Sequence, residues 1–186
     1  MKRALLYLLL SAPLFFLLYR LFVAGVEDPV KYIYTVTGAT ALTLLYAATT
    51  FSLIKKRINL LRYRRAVGLF SFFYALLHML NFVILDMEMN LSAAIDETLD
   101  KPFIYLGMGT FLILLFMAIT SLPSLFRKYH RYHKVIYLAL LLATIHFVMA
   151  QKVLAYWQWG VLAVMVTIGV LKVFQRTSHS FYSPKH

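Results

Sequence analysis

Apolar residues in this chain fall into six long runs, approximately Ala4–Ala24, Ile33–Ile54, Ala66–Leu85, Phe103–Leu122, Val135–Ala150 and Val153–Leu171, and the gaps between them hold most of its charge. A helix rising about 1.5 Å per residue crosses about 30 Å of hydrocarbon in about 20 residues, so runs of this length read as membrane spans. With 62% hydrophobic and 14% charged residues and a mean hydropathy of +0.75, a water-soluble globule is excluded. The predicted architecture is all-α and integral to a membrane: one domain over residues 1–186, six transmembrane helices, and a polar tail at 173–186. Short loops leave no room for a soluble catalytic domain, so chemistry must lie within the bundle, on a cofactor or on a partner.

Charge sets the expected orientation. Fifteen of the 19 basic residues fall at the termini and in the gaps after the second and fourth runs, with Arg20, Lys31, Lys101 and Lys152 elsewhere. By the positive-inside rule that side is cytoplasmic, and both termini lie there. All seven acids, Glu27, Asp28, Asp86, Glu88, Asp96, Glu97 and Asp100, fall on the opposite side. The formal charge of +12 is thereby accounted for by membrane lipid, and no nucleic-acid footprint is left over. The absence of cysteine excludes disulfides, iron–sulfur clusters and thiolate chemistry. The first run follows Met1-Lys2-Arg3 but has no suitable small-x-small cleavage site, so it reads as a retained helix, with a kink expected at Pro13. Arg20 reads as a snorkelling interfacial residue, and Tyr156, Trp157 and Trp159 as an interfacial belt. The outer gap between Asp86 and Lys101 has helix-like spacing from Leu91 to Asp96 and reads as a solvated surface or a partner contact.

Two histidines, His78 and His146, sit deep in apolar runs, where an ionisable ring is costly and is expected to face the interior with a partner. Each by itself is explained as well by a bond to a neighbouring carbonyl or hydroxyl, Thr144 for example, as by ligation. Their depths match: Arg65 to His78 and His133 to His146 are both 13 positions, on two runs that leave the basic side in the same direction. Both rings then lie roughly 20 Å above the basic edge. Two imidazoles at one level, without thiolate or buried carboxylate beside them, do not make a zinc site, but they suffice as axial ligands of a haem iron in an apolar slot. His133 is a possible ligand of a second, inner cofactor. Thirteen steps place it about 140° from His146 on an ideal helix, so a shared face needs a bulge or an irregular first turn. Arg64 falls near the His78 stripe, 14 positions earlier, where a guanidinium can meet a haem propionate or another anion; it also reads as a plain surface charge. His130 reads as interfacial, and His179 and His186 lie in the tail.

These residues resemble the MsrQ (YedZ) haem-binding membrane subunits, within the ferric reductase-like transmembrane group. The likeness runs from about Pro13 to Lys172. It rests on Asp28-Pro29-Val30, Thr37-Gly38, Arg64-Arg65-Ala66-Val67-Gly68-Leu69, Tyr74-Ala75, His78, Lys101-Pro102-Phe103, Ala118-Ile119-Thr120-Ser121, His133-Lys134-Val135-Ile136-Tyr137 and His146 in that order. The resemblance implies b-type haem on His78 and His146, with His133 matching a third family histidine, and FMN as a further cofactor with no residue assigned to it. It also implies a bacterial inner-membrane location and electrons from the quinone pool or a flavin donor. Their destination would be an MsrP-type periplasmic molybdenum-cofactor enzyme that reduces methionine sulfoxide. This chain would be the electron-transfer subunit, without catalytic residues of its own. The departure from the family pattern is Tyr129-His130-Arg131-Tyr132 before His133, together with a short tail. Two other readings compete: a self-standing ferric or quinone reductase, and a haem-free transporter or scaffold using the histidines as a proton relay.

Overall fold

Asp28 and Pro29 open a helix that begins four residues before the second apolar run. The Asp28 carboxylate accepts from the Lys31 N–H at 3.0 Å, and Pro29 takes the first helical turn, where no N–H is needed. A computed structural model describes residues 2–51 and 61–151, together with Trp159, Gly160, Ala163, Val166, Thr167 and Val170, which are helical. In chain order the helices are α1 (Lys2–Tyr19), running on as a π-helical stretch Arg20–Ala24; α2 (Pro29–Thr50); α3 (Arg64–Leu80), running on as a π-helical stretch Asn81–Asp86; α4 (Leu91–Asp100); α5 (Pro102–Thr120); α6 (Pro123–Tyr129); and α7 (Ile136–Ala150), entered through a 3₁₀ stretch His130–Val135.

Four of these stretches are long and apolar enough to cross a membrane: Ala4–Ala24, Arg64–Asp86, Pro102–Thr120 and Pro123–Ala150. α2, at 22 residues, is long enough but less apolar, because threonine and tyrosine recur along it. Most of the sixth run, including Tyr156 and Trp157, and the tail with His179 and His186 lie outside the described residues, so the expected count of six spans rests on the sequence. Where a gap was expected before the fifth run, α6 and the 3₁₀ stretch are helical, and Asn90 caps α4 by accepting from the Ala93 N–H at 3.1 Å. Of the interfacial expectations, Arg20 opens its π-helical stretch with its guanidinium over the Tyr32 ring, and Trp159 is exposed.

The packing is inside-out for a water-soluble protein and right for lipid. Buried positions include Thr37, Thr49, Ser71, Asn81, Thr110 and Thr120, while Leu5, Leu8, Phe22, Leu112 and Leu141 are largely exposed. The buried hydroxyls are satisfied locally or across helices; Ser71 on α3, for instance, donates to the Ala41 carbonyl of α2 at 2.8 Å. An apolar core of Leu42 and Leu45 from α2, Leu114 from α5, and Ile136, Ala139 and Leu140 from α7 joins three helices. There the Tyr46 hydroxyl is 2.7 Å from Thr144 Oγ1, which itself donates to the Leu140 carbonyl. Thr144 is thus Tyr46's partner.

Pro13 lies inside α1, which is helical from Lys2 to Tyr19. A proline removes one rung of the helical ladder, and one residue further on the Tyr74 hydroxyl enters the backbone of α1: it donates to the Leu10 carbonyl at 2.8 Å and accepts from the Leu14 N–H at 3.1 Å. Tyr74 is fully buried, and this double bond fastens α1 to α3.

Candidate functional site

Antiparallel packing of α2 on α3 and of α5 on α7 builds two similar halves. In the first, the His78 ring lies against Gly38 so closely that a Cβ on that glycine would stand 2.9 Å from Cε1 and 3.0 Å from Nδ1. The Nδ1 atom is 3.3 Å from Thr37 Oγ1. Thr37 spends its one hydroxyl proton on the Ile33 carbonyl at 2.6 Å, so toward His78 it accepts, and Nδ1 carries the hydrogen. The Tyr34 ring meets His78 edge-on at 5.1 Å, and its hydroxyl donates to Asp86 Oδ2 at 2.9 Å.

In the second half, the His146 ring lies against Gly107, where a Cβ would stand 2.8 Å from Cε1. Its Nδ1 donates to the Phe103 carbonyl at 2.5 Å, and the Phe103 ring stacks on it at 6.2 Å. Phe103, not Thr144, is the partner, because the Thr144 hydroxyl is turned to Tyr46 and its own helix. In both rings a protein oxygen fixes the Nδ1–H tautomer, which leaves Nε2 as the lone-pair nitrogen that ligates metals.

The two rings meet. Their centroids are 6.1 Å apart with planes at 90°. Two metal–imidazole bonds of about 2 Å each, with the inner half of each ring, span about 6 Å, so this separation fits one iron held between them. Among the described residues there is no group of three or more His, Cys, Asp or Glu suited to a metal.

His133 and Arg64 belong to the other end of the bundle. His133 Nε2 is 2.9 Å from Thr120 Oγ1, which donates to the Phe116 carbonyl at 2.7 Å and so accepts from the imidazole. Here Nε2 carries the hydrogen, opposite to His78 and His146. Phe126 meets the ring edge-on at 5.1 Å, and Arg64 is near enough to act on it electrostatically. The irregular first turn that a shared face required is the 3₁₀ stretch His130–Val135: His133 contacts α5 at Thr120, and His146 contacts α5 at Phe103 and Gly107. His130 is exposed, its Nδ1 3.1 Å from the Arg127 carbonyl. The residues singled out in the sequence thus form a close pair, His78 and His146, and a separate group at the other end of the bundle, His133 with Arg64.

Sequence reasoning missed Gly107 and the Phe103 carbonyl, and met Thr37-Gly38 only as part of a resemblance. A glycine in the middle of a helix costs about 1 kcal/mol relative to alanine, and that cost was the available signal for a close approach.

A helical membrane protein with two half-buried, oppositely mounted imidazoles at one level is what the fold and the site define. The chain belongs to the family described as ferric reductase like transmembrane component, whose model matches residues 38–148, a stretch that includes Gly38, Arg64, His78, Gly107, His133 and His146. Among its relatives, the protein-methionine-sulfoxide reductase heme-binding subunit MsrQ of Brucella ovis is 38% identical over 131 residues, covering 67% of this chain and 60% of the relative. The protein of the same name from Brucella melitensis biotype 2 is 37% identical over the same shares. The chain spans about 60% of the length of these curated relatives.

Proposed function

We propose that this chain is a membrane electron-transfer subunit that holds b-type haem between His78 and His146. The observation that carries this reading is the 6.1 Å separation of two imidazoles whose Nδ1 atoms are both tied to protein oxygen. The haem would supply a one-electron carrier at a fixed depth. The protein's own contribution is to mount the rings: Gly38 and Gly107 admit them against the helix backbones, and Thr37 and the Phe103 carbonyl hold their tautomers. Apolar side chains packed around the half-buried pair lower the dielectric around it.

In this reading the chain is a six-span protein of the bacterial inner membrane with both termini in the cytoplasm. Electrons enter from the quinone pool or a flavin donor at the basic end, where His133 and Arg64 lie. They leave at the acidic end to an MsrP-type periplasmic molybdoenzyme that reduces methionine sulfoxide. That the Brucella relatives are named as heme-binding subunits of a protein-methionine-sulfoxide reductase supports this assignment. Sulfoxide reduction belongs to the partner, and no residue here is assigned to FMN.

Reduced-minus-oxidised absorbance of the detergent-solubilised chain tests the reading. A low-spin b-type spectrum is expected, lost or strongly altered in His78→Ala and in His146→Ala and retained in His179→Ala. A spectrum unchanged in all three variants would overturn the ligand assignment.

A further inference from the structure

One group on the α2-facing side of α3 is left unexplained by the packing. Asn81 is 3% exposed, and its Nδ2 donates to the Val30 carbonyl of α2 at 3.1 Å. Turning the amide over would set two oxygens against each other, so its orientation is fixed. Its Oδ1 is then a buried acceptor without a hydrogen-bond partner, the one such side-chain atom among the described residues. In the interior of a membrane protein no bulk water repairs the deficit, and the atom bears its full desolvation cost.

The position of this acceptor points to a ligand. Asn81 follows His78 by three residues, which puts the two side chains on one side of the helix a turn apart. The contacts agree: His78 meets Tyr34, Thr37 and Gly38, and Asn81 meets Val30, one turn earlier on the same helix α2. Asn81 is also the first residue of the π-helical stretch Asn81–Asp86, and such widened turns inside helices concentrate at functional sites.

We propose that Asn81 Oδ1 is the acceptor for an O–H group that arrives with the ligand of the His78–His146 site. Two sources share this chemistry: a protonated carboxylic acid arm of the tetrapyrrole, and a water held beside it. An ionised arm has no proton to give, and apolar surroundings favour the neutral acid. The inference rests on the reading of a haem between the two histidines.

The test compares the full chain with Asn81→Leu, each with and without haem b. Leucine matches the shape and removes the orphan, and the Val30 carbonyl keeps its place in the α2 ladder. Without haem the variant is expected to unfold at the same temperature as the wild type or higher; with haem, its gain in unfolding temperature is expected to be smaller. Affinity should fall about tenfold, the worth of one hydrogen bond. Haem dimethyl ester, which has no acid proton, separates the sources. If the wild type binds the ester about tenfold more weakly than the free acid and the variant binds both alike, the arm is the donor. If the wild type binds both alike and the variant binds both more weakly, water is the donor. Equal affinities and equal haem-induced stabilisation in both chains would overturn the proposal. The wild-type comparison of acid and ester, with an infrared search for a protonated carboxyl or an exchangeable buried water, stands even if the variant does not fold. Failure of the wild type to take up haem at all would instead count against the parent reading.

Discussion

Gly38 and His78 touch so closely that the imidazole occupies the volume of the missing side chain: a Cβ at position 38 would stand 2.9 Å from Cε1 of the ring. Gly107 and His146 repeat the relationship at 2.8 Å on the other helix pair. The two glycines set how near each ring can come to its neighbour's backbone, and so set the gap between the rings.

Gly38→Ala and Gly107→Ala are therefore expected to displace the rings, shifting the absorbance and the electron paramagnetic resonance of bound haem and weakening its retention. Gly68 on α3 has open space where a Cβ would go, and Gly68→Ala should leave the spectrum unchanged while gaining up to about 1 kcal/mol from helix propensity. Identical spectra for all three variants would remove the cradle argument.

Thr37 orients His78 without entering the gap between the rings. Thr37→Val keeps the shape and removes the acceptor for Nδ1–H, and outer partners of this kind are typically worth about 10–100-fold in metal affinity. Haem affinity and midpoint potential are expected to change in Thr37→Val and to recover in Thr37→Ser. A potential that is the same in all three proteins would mean that the 3.3 Å contact has no effect on the ring.

Tyr74 and Pro13 form a coupled pair at the junction of α1 and α3. Tyr74→Phe withdraws a hydroxyl that serves two backbone groups of α1, a loss of about 1–3 kcal/mol in unfolding measured in detergent. In Pro13→Ala the ladder of α1 can close by itself, so the same Tyr74→Phe change is expected to cost less there. A double-mutant cycle measures that coupling, and strict additivity would show that the hydroxyl does not compensate for the proline.

His133 has its Nε2 committed to Thr120 at the opposite end of the bundle from His78 and His146. His133→Ala is expected to leave the haem content per chain and the peak positions unchanged. Loss of about half of the haem would instead place a second iron at this residue.

The helical class and the approximate membrane segments were legible because lipid imposes one solution: backbone groups must be paired within the segment, and long apolar runs betray it. The equal 13-position offsets of His78 and His146 were legible for the same reason, since a straight helix turns residue count into depth. α4 showed in the helix-like spacing from Leu91 to Asp96, whereas the short α6 is polar enough to resemble a loop. α2 was misplaced by four residues because its start is set by the Asp28 cap and not by hydropathy. The 3₁₀ entry to α7 appeared in the sequence only as a condition for His133 and His146 to face the same helix.

What the sequence determined by itself was the solvent, the helical class and the level of the two imidazoles, because periodicity and hydropathy act along one chain segment at a time. Which oxygen holds each ring, which glycine admits it, and that the rings stand 6.1 Å apart were decided only by tertiary packing. Thr37 and His78 are 41 residues apart, Phe103 and His146 are 43 apart, and nothing local to either histidine encodes the distance across two helix pairs.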